Sequence, residues 1–316
     1  MPRKFLIVPD VPGWAYDEKS NNIIKNIPEV DWDKLYFYDY QKHASDYNFL
    51  SKYEKVLLIG ATYFGGAQPA VRIKEKLTGT LTSHETIRKG EFEVVKKAVL
   101  SFGKVGAVSR ELYSYLRDWG ANAVYCPNGV DHIFFRPTQY ARGGKLTVGW
   151  VGSNRPDDLK GYHRVLSEII KKLPDVNFKV IYVNSFNKNE IKSKGEMLEF
   201  YNSIDVFLGT GELEGTPNPA FEAAACGKPL VCTRTGAIVD LIEQGKAGFI
   251  TENYHNGEIR NTIEESVDAI QNLQKDDELL YEMGKNALLE VNKNWTWKER
   301  ANEYRTLLGI ETDGRE

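Results

Sequence analysis

Short apolar runs alternate with amphipathic stretches along the whole chain. Most of the runs are rich in β-branched or aromatic residues and are bounded by Gly, Pro, Asn or Asp, as buried parallel strands usually are. We predict nine strands: Phe5–Val8, Leu35–Tyr38, Lys55–Ile59, Val105–Val108, Val124–Cys126, Leu146–Val151, Phe178–Val183, Val206–Leu208 and Leu230–Cys232. Strands that alternate with helices predict an α/β fold, with parallel sheets that carry helices on both faces.

The clearest helical pattern begins at Tyr162. Apolar residues recur at i, i+3, i+4, i+7, i+8 and i+11 up to Leu173, and Pro174 follows the last of them. This spacing places the apolar side chains on one face of a helix, which the proline ends. A further helix is predicted over Trp297–Leu308.

The polar segment 137–145 interrupts the alternation. It contains Gly143-Gly144 and lies between Phe134-Phe135 and a new strand, so we predict an interdomain linker there. A length of 316 residues also agrees with two domains at roughly 150 residues each. We therefore predict domains at 1–140 and 145–295, followed by a C-terminal helical segment at 296–316.

The composition narrows the function classes. With 41 Lys and Arg against 44 Asp and Glu, the formal net charge of -3 argues against general nucleic-acid binding. Three scattered cysteines (Cys126, Cys226 and Cys232) fit a reducing compartment better than a disulfide framework or a metal site. No run approaches the roughly 20 apolar residues of a membrane span. We expect a cytoplasmic protein with no transmembrane segment and no metal.

The segment from Glu214 to Gly227 carries the most chemical information. Thr216 is a suitable N-cap, Pro217 suits the first helical turn, and Gly227 is placed to end the helix. Such a loop-to-helix junction points backbone N–H groups and the positive end of the helix dipole at one place. It can therefore hold a phosphate or a carboxylate.

Two carboxylates flank this predicted anion site. Glu214 precedes the helix and Glu222 lies about one and a half turns into it. Carboxylates beside a phosphate are poor anion ligands, so sugar hydroxyls are better partners for them. The alternative is that Glu214 only complements the helix dipole and that Glu222 is a surface residue.

Here the sequence resembles a known family. The spacing Glu214-x7-Glu222 within EGTPNPAFEAAACGKPLV is similar to the motif of retaining GT-B glycosyltransferases, in particular of glycosyltransferase family 4. Other segments agree in order and spacing: 107–109, 124–137, 148–152, 160–161, 205–208 and 236–250. The resemblance is strong over about 105–250 and weak over the first hundred residues.

This resemblance implies a GT-B fold, in which two Rossmann-like domains face each other across a cleft. It implies a donor-binding domain at 145–295, an acceptor-side domain at 1–140, and a final helix that crosses back to the N-terminal domain. The implied enzyme is a glycosyltransferase of the hexosyltransferase class. It would move a sugar with retention from a nucleotide diphosphate donor, with a UDP-sugar expected, to an acceptor hydroxyl, and it would need no cofactor.

The resemblance also implies roles for residues of the donor domain. Glu214 would hold the hydroxyls of the donor sugar and Glu222 the ribose. The backbone at Gly215, Thr216, Pro217 and Asn218 would serve the diphosphate and the sugar. Negative charge would develop on the leaving diphosphate in the transition state, and positive groups held in place would stabilise it.

Lys160 and Arg155 are the expected cations, in a turn that begins after Gly152. The family usually has its Arg directly after the glycine, whereas Ser153-Asn154 intervene here. Both cations could instead be ordinary surface charges.

Two residues of the N-terminal half are weaker candidates. Gly13 lies in the loop after the first strand, where the family often has two glycines near the diphosphate and acceptor. His84 lies where the family often places a histidine near the reacting sugar, although an isolated histidine is more often structural. The loop Tyr63–Gly66 is expected at the strand ends as well, where it would line the acceptor cleft.

Other patterns leave alternatives open. Asp31-Trp32-Asp33 matches the D-x-D motif of the GT-A fold, but we interpret it as a turn with solvated acids before a strand.

A DNA-base glycosyltransferase of the GT-B fold would need a basic stripe, for which candidates exist: Lys89, Lys96, Lys97, Lys104 and Arg110. A GT-B-like protein that binds nucleotide sugar without transfer, an epimerase or a phosphorylase is the remaining alternative.

Overall fold

The structure is a computed structural model that describes residues 3–60, 71–84, 92–138, 143–153, 158–183, 192–255 and 257–310. The chain divides into two compact units, Met1–Gly129 with Trp297–Glu316, and Val130–Thr296. The division at Gly129 comes earlier in the chain than the predicted boundary at 140–145. The reason is that Val130 and Phe135 pack into the apolar core of the second unit.

The first unit is built on one sheet. Its strands are β1 (Lys4–Val8), β2 (Asp31–Lys34), β3 (Lys55–Ile59), β4 (Leu77–Leu81), β5 (Lys104–Ala107) and β6 (Ala123–Tyr125). They lie in the order β2-β1-β3-β4-β5-β6, with every neighbouring pair parallel. The described helices between them are α1 (Ala15–Asn26), α2 (Phe37–Gln41), α3 (Tyr47–Ser51), α4 (Phe92–Leu100) and α5 (Arg110–Asp118), with a 3-10 turn at Val71–Lys76.

The second unit is built on a five-stranded sheet. Its strands are β7 (Thr147–Ser153), β8 (Asn177–Val183), β9 (Val206–Gly209), β10 (Leu230–Thr233) and β11 (Gly248–Thr251). They lie in the order β11-β10-β9-β7-β8, again all parallel. The helices are α6 (Ser167–Lys172), α7 (Lys194–Asn202), α8 (Asn218–Ala225), α9 (Ile238–Gly245), α10 (Ile259–Lys275) and α11 (Asp277–Asn294). A single π-helical turn, Tyr162–Leu166, precedes α6.

The last helix, α12 (Trp297–Leu308), has the bounds predicted from the sequence and belongs to the first unit. Its residues Tyr304, Leu307 and Leu308 are fully buried in a core shared with β1 and α1. The Tyr304 hydroxyl donates a hydrogen bond to the carbonyl of Cys126 over 3.1 Å. The helix thereby covers the sheet beside the end of β6.

The predicted strand Leu35–Tyr38 is wrong, because α2 already begins at Phe37 and the strand is Asp31–Lys34. The D-x-D segment is therefore an edge strand and not a turn. The indole ring of Trp32 in this segment packs edge-on against the ring of Phe5, with centroids 5.6 Å apart. A strand at the edge of a sheet has only one neighbour, so it can carry charged residues at alternate positions, and a search for apolar runs misses it.

Two further strands, β4 and β11, were not predicted. In β4 the sequence is Leu-Thr-Gly-Thr-Leu, yet all five residues are buried. Its threonines are accommodated by hydrogen bonds: the Thr78 hydroxyl donates to the Val56 carbonyl, and the Thr80 hydroxyl accepts from the Gly60 N–H. Because buried polar groups with partners cost little, such a central strand need not be an apolar run.

The strand order of the second sheet indicates the edge at which a ligand would bind. From β7 the chain goes first to β8 on one side and then to β9 on the other, so the order reverses between β7 and β9. In open parallel sheets, ligands bind at the carboxyl ends of the strands beside such a reversal.

Candidate functional site

A pocket lies at this edge of the second unit. Its walls come from the ends of three strands and from the loop and helix that follow β9. Representative residues are Trp150 of β7, Gly209 of β9, Cys232 of β10, Glu214 of the loop, and Pro217 at the start of α8. Both the strand ends and the N-terminus of α8 therefore contribute to one concave surface.

Lys160 and Glu214 meet in this pocket. The Lys160 Nζ lies 2.5 Å from the Glu214 Oε1, and the side chains are 33% and 14% exposed. The two residues are 54 positions apart in the chain. The pair joins the two side chains that the family resemblance assigns to the diphosphate and to the donor sugar.

The turn that carries Lys160 is held against β9. Thr210, at the end of β9, donates its hydroxyl to the Lys160 carbonyl over 2.7 Å and accepts a hydrogen bond from the Trp150 indole over 2.8 Å. Gly161 has φ +70, and a Cβ there would lie 2.5 Å from the Thr210 carbonyl oxygen. Only glycine fits this close approach, which explains the Lys-Gly pair in the sequence.

The loop that carries Glu214 is fixed by the β10–α9 connection. The Glu214 N–H donates to the Thr235 hydroxyl over 2.9 Å, and the Gly215 carbonyl accepts from the Ala237 N–H over 2.8 Å. Gly236, with φ +64, approaches the backbone of Glu214 and Gly215 so closely that a side chain would collide. The main chain at Glu214 and Gly215 is thus held by contacts with the β10–α9 connection.

Helix α8 begins one residue later than predicted. Pro217 occupies the N-cap position and Asn218 is the first helical residue, so the prediction of Thr216 as N-cap is wrong. Pro217 forces an extended backbone on the residue before it, which keeps Thr216 outside the helix. Gly227, with φ +72, follows the last turn as predicted.

Of the predicted donor-binding residues, Lys160, Glu214 and Pro217 line the pocket. Gly215, Thr216 and Asn218 lie within two positions of Pro217 in the chain. Gly152 lies on β7, where a Cβ would collide with the indole ring of Trp150. A glycine is therefore needed at this position for the packing of a pocket residue. Arg155 lies outside the described residues.

Glu222 lies on α8 and is half-buried. The hydroxyl of the fully buried Tyr201 donates to its Oε2 over 2.7 Å. Burial, together with the Glu222 carboxylate, raises the pKa of Tyr201 well above its ordinary value. Tyr201 therefore remains a hydrogen-bond donor and fixes one oxygen of this carboxylate.

A second carboxylate of the β9–α8 loop, Glu212, was missed by the sequence analysis. Its Oε2 accepts from Arg164 Nη2 over 2.9 Å, and its Oε1 lies 3.0 Å from His255 Nδ1. Its backbone N–H donates to the Leu159 carbonyl and its carbonyl accepts from the Asn253 side chain. Glu212 thus ties together the Lys160 turn, the Glu214 loop and the segment after β11.

In the first unit, Gly13 has φ +75 and its N–H donates to Asp17 Oδ2 over 2.8 Å. Lys34 and Tyr36 contact the other oxygen of Asp17, at 2.8 and 3.1 Å. Burial raises the pKa of Asp17, but the Gly13 N–H, Lys34 and Tyr36 outweigh it and lower the pKa overall. The glycine therefore closes a small charged network at the start of α1.

His84 follows β4 and is buried, at 4% exposure. Its Nε2 lies 3.2 Å from Glu111 Oε2, a distance typical of an ion pair, but neither ring nitrogen makes a well-aligned hydrogen bond within the described part of the chain. Its ring packs edge-on against Tyr115. The loop Tyr63–Gly66 and Lys89, one of the predicted basic residues, lie outside the described residues.

No group of three or more His, Cys, Asp or Glu residues within the described ranges is placed to hold a metal ion. Asp33 of the D-x-D segment accepts from the Tyr53 hydroxyl over 2.7 Å and pairs with Lys4 at 3.1 Å. Across the same ranges, no helix is both long and apolar enough to cross a membrane.

Comparisons with known proteins agree with this geometry. Residues 186–289, which include Glu214 and Glu222, match the family described as Glycosyl transferases group 1. An uncharacterized glycosyltransferase of Methanocaldococcus jannaschii is 25% identical over 315 residues, which cover 91% of this chain and 84% of that protein. The chain is thus similar to group 1 glycosyltransferases, and its match to that family covers about a third of its length.

Two further proteins are similar to this chain. The capsular polysaccharide biosynthesis glycosyltransferase CapM of Staphylococcus aureus is 27% identical over 193 residues, or 54% of this chain. The chain spans only 48% of the length of CapM. The structure of Anabaena HepE in complex with UDP and glucose has a TM-score of 0.71 at 14% identity, covering 97% of this chain and 99% of HepE. This likeness shows that the fold is GT-B.

Proposed function

We propose that the protein is a retaining glycosyltransferase that moves a sugar from a UDP-sugar to an acceptor hydroxyl. The observation that carries the proposal is the convergence of Lys160, Glu214 and the N-terminus of α8 on one pocket. The binding of a nucleotide sugar needs these three features together: a cation and a cluster of N–H donors for its diphosphate, and a carboxylate that accepts hydrogen bonds from its sugar hydroxyls. The HepE structure, which has the same fold, is a complex with UDP and glucose, and this supports UDP as the nucleotide.

Each part of the site has a task in this reaction. As the bond from the anomeric carbon to the diphosphate breaks, negative charge grows on the leaving diphosphate. Lys160 and the positive end of α8 stabilise that charge, because both lie at the pocket where the diphosphate binds. Glu214 accepts hydrogen bonds from the sugar hydroxyls, and Glu222, held by Tyr201, accepts them from the ribose.

The proposed reaction uses no cofactor and no metal, because Lys160 supplies positive charge at the diphosphate. We expect the rate of UDP release to be unchanged in EDTA. A loss of activity in EDTA that Mg²⁺ or Mn²⁺ restores would contradict this part of the proposal.

Transfer to water tests the donor class without knowledge of the acceptor. The protein is incubated with α-linked UDP-hexoses, and proton NMR follows the release of the sugar. We expect the α-anomer of the free sugar to appear first, before it equilibrates. An initial β-anomer would contradict retention, and no release of UDP from any UDP-sugar would contradict the donor class.

The substitution Lys160→Ala tests the assigned cation. Charge-assisted hydrogen bonds contribute about 1.5–3 kcal/mol, so kcat/KM for the donor should fall by about 10- to 150-fold. Lys171→Ala is the matched control, since Lys171 pairs with Glu168 on the surface of α6 at 2.6 Å. Equal kcat/KM values for Lys160→Ala and the control would remove Lys160 from the mechanism.

A further inference from the structure

The two side chains with different tasks in the proposed reaction bind each other in this structure. Lys160 Nζ and Glu214 Oε1 are in contact, in the pocket where each is assigned to a separate part of the donor. The pair is partly desolvated, with side-chain exposures of 33% and 14%. Because the diphosphate and Glu214 are both anionic and share one ammonium group, a diphosphate that engages Lys160 weakens the pair between Lys160 and Glu214.

The main chain of Glu214 is held beside the pocket. Its backbone N–H donates to the Thr235 hydroxyl, and its carboxylate lies against Gly211, where a Cβ would collide with it. A Glu214 carboxylate that loses Lys160 while it lies in the pocket needs another partner. Leaving a partly buried carboxylate without a partner is unfavourable.

A complete nucleotide sugar and a bare nucleoside diphosphate differ in this respect. The nucleotide sugar offers its diphosphate to Lys160 and its sugar hydroxyls to Glu214, so both groups are paired again. The nucleoside diphosphate offers nothing to Glu214, so the separation of the pair remains uncompensated when it binds.

We propose, resting on the proposed function, that Glu214 determines specificity for the complete donor over the nucleoside diphosphate product. It holds Lys160 until sugar hydroxyls replace the ammonium group as its partner. After transfer the sugar is gone, the pair forms again, and the product is released more readily. Glu214 thus acts in product release as well as in sugar binding.

Calorimetric titration with UDP tests this proposal without any turnover. The variants are Glu214→Gln, Lys160→Gln and the double variant. Glu214→Gln should bind UDP about two- to fivefold more tightly than the wild type, because a partly exposed ion pair contributes up to about 1 kcal/mol. The gain should vanish on the Lys160→Gln background, because it acts through the freed ammonium group.

The control is Glu168→Gln, which also removes one negative charge from a lysine–carboxylate pair of the same unit. Its UDP affinity should equal that of the wild type. If Glu214→Gln does not fold, Glu214→Ala gives the same expected direction.

The outcomes separate the two proposals. Unchanged or weaker UDP binding by Glu214→Gln, or an equal gain on the Lys160→Gln background, would overturn the specificity role of Glu214 alone. Failure of the wild-type protein to bind UDP at all would overturn the proposed function, and this inference with it.

Discussion

At the scale of single residues, two glutamates two positions apart have different surroundings. Glu214 faces the pocket and pairs with Lys160, whereas Glu212 is buried and pairs with Arg164 and His255. The resemblance to a family motif singled out Glu214 but not Glu212. The partners of Glu212 lie 48 and 43 positions away in the chain. Such a network has no periodic signal in a single sequence.

Lys19 is a second residue that the sequence does not single out. It lies on α1, where its side chain is buried and its Nζ lies 5.5 Å from the centre of the Tyr304 ring of α12. Burial lowers the pKa of Lys19 to about 8, and it outweighs the nearby Cys126, which acts in the opposite direction. The native protein therefore releases this proton at a pH about 2.5 units lower than the unfolded chain, which has the ordinary lysine pKa.

We predict that Lys19→Met stabilises the protein. Below pH 8 the wild type buries a charged lysine, so the gain at pH 7 should approach about 3 kcal/mol. Between pH 8 and 10.5 the native state binds fewer protons than the unfolded state, so wild-type stability gains from Lys19 as pH rises. The advantage of the variant should therefore shrink by about 1.4 kcal/mol between pH 7 and pH 9.

Urea unfolding of both proteins at the two pH values measures this difference. Burial also raises the pKa of Cys126 to about 12, which lowers the stability of the native state as pH rises. This effect is present in both proteins, so it cancels when their free energies of unfolding are compared. Lys25→Met is the control, since Lys25 is an exposed lysine of the same helix. If Lys19→Met lowers the free energy of unfolding, or raises it equally at both pH values, the buried ammonium group does not destabilise the wild type.

At the scale of elements, the best-predicted features are those that local chemistry determines. Gly227 ends α8 as expected, because a left-handed residue with φ +72 is needed there. The strand β2 was misplaced because an edge strand can be polar, and β4 was missed because its threonines are satisfied by neighbouring strands. These features depend on which strands become neighbours, and that information is not local.

The end of α8 gives an element-scale prediction. A Cβ at Gly227 has ordinary contacts, the nearest 3.5 Å away at Pro137, so any loss comes from backbone conformation alone. Gly227→Ala should cost about 1 kcal/mol, and Gly227→Asn less, since asparagine tolerates the left-handed region. Urea unfolding gives the two values. An alanine variant as stable as the asparagine variant would contradict this explanation of the helix end.

At the scale of the whole molecule, alternating strands and helices predicted the α/β class, and the resemblance predicted the GT-B fold that the comparisons bear out. The division of the chain after Gly129 was not predicted at that position. In the sequence, Val130 and Phe135 continue directly from the last strand of the first unit, and only the structure shows that they pack into the core of the second unit. Which sugar and which acceptor the protein uses depends on loops whose residues carry no general pattern.

We expect the second unit to bind a nucleoside diphosphate at Lys160 and the start of α8. A thermal-shift screen with UDP, GDP and ADP, on the wild type and on Lys160→Ala, measures this binding. A ligand at about 100 times its Kd stabilises the native state by about 2.7 kcal/mol. We predict a clear rise in Tm with UDP for the wild type and a much smaller rise for Lys160→Ala. No rise with any of the three nucleotides, or equal rises for both proteins, would contradict the claim.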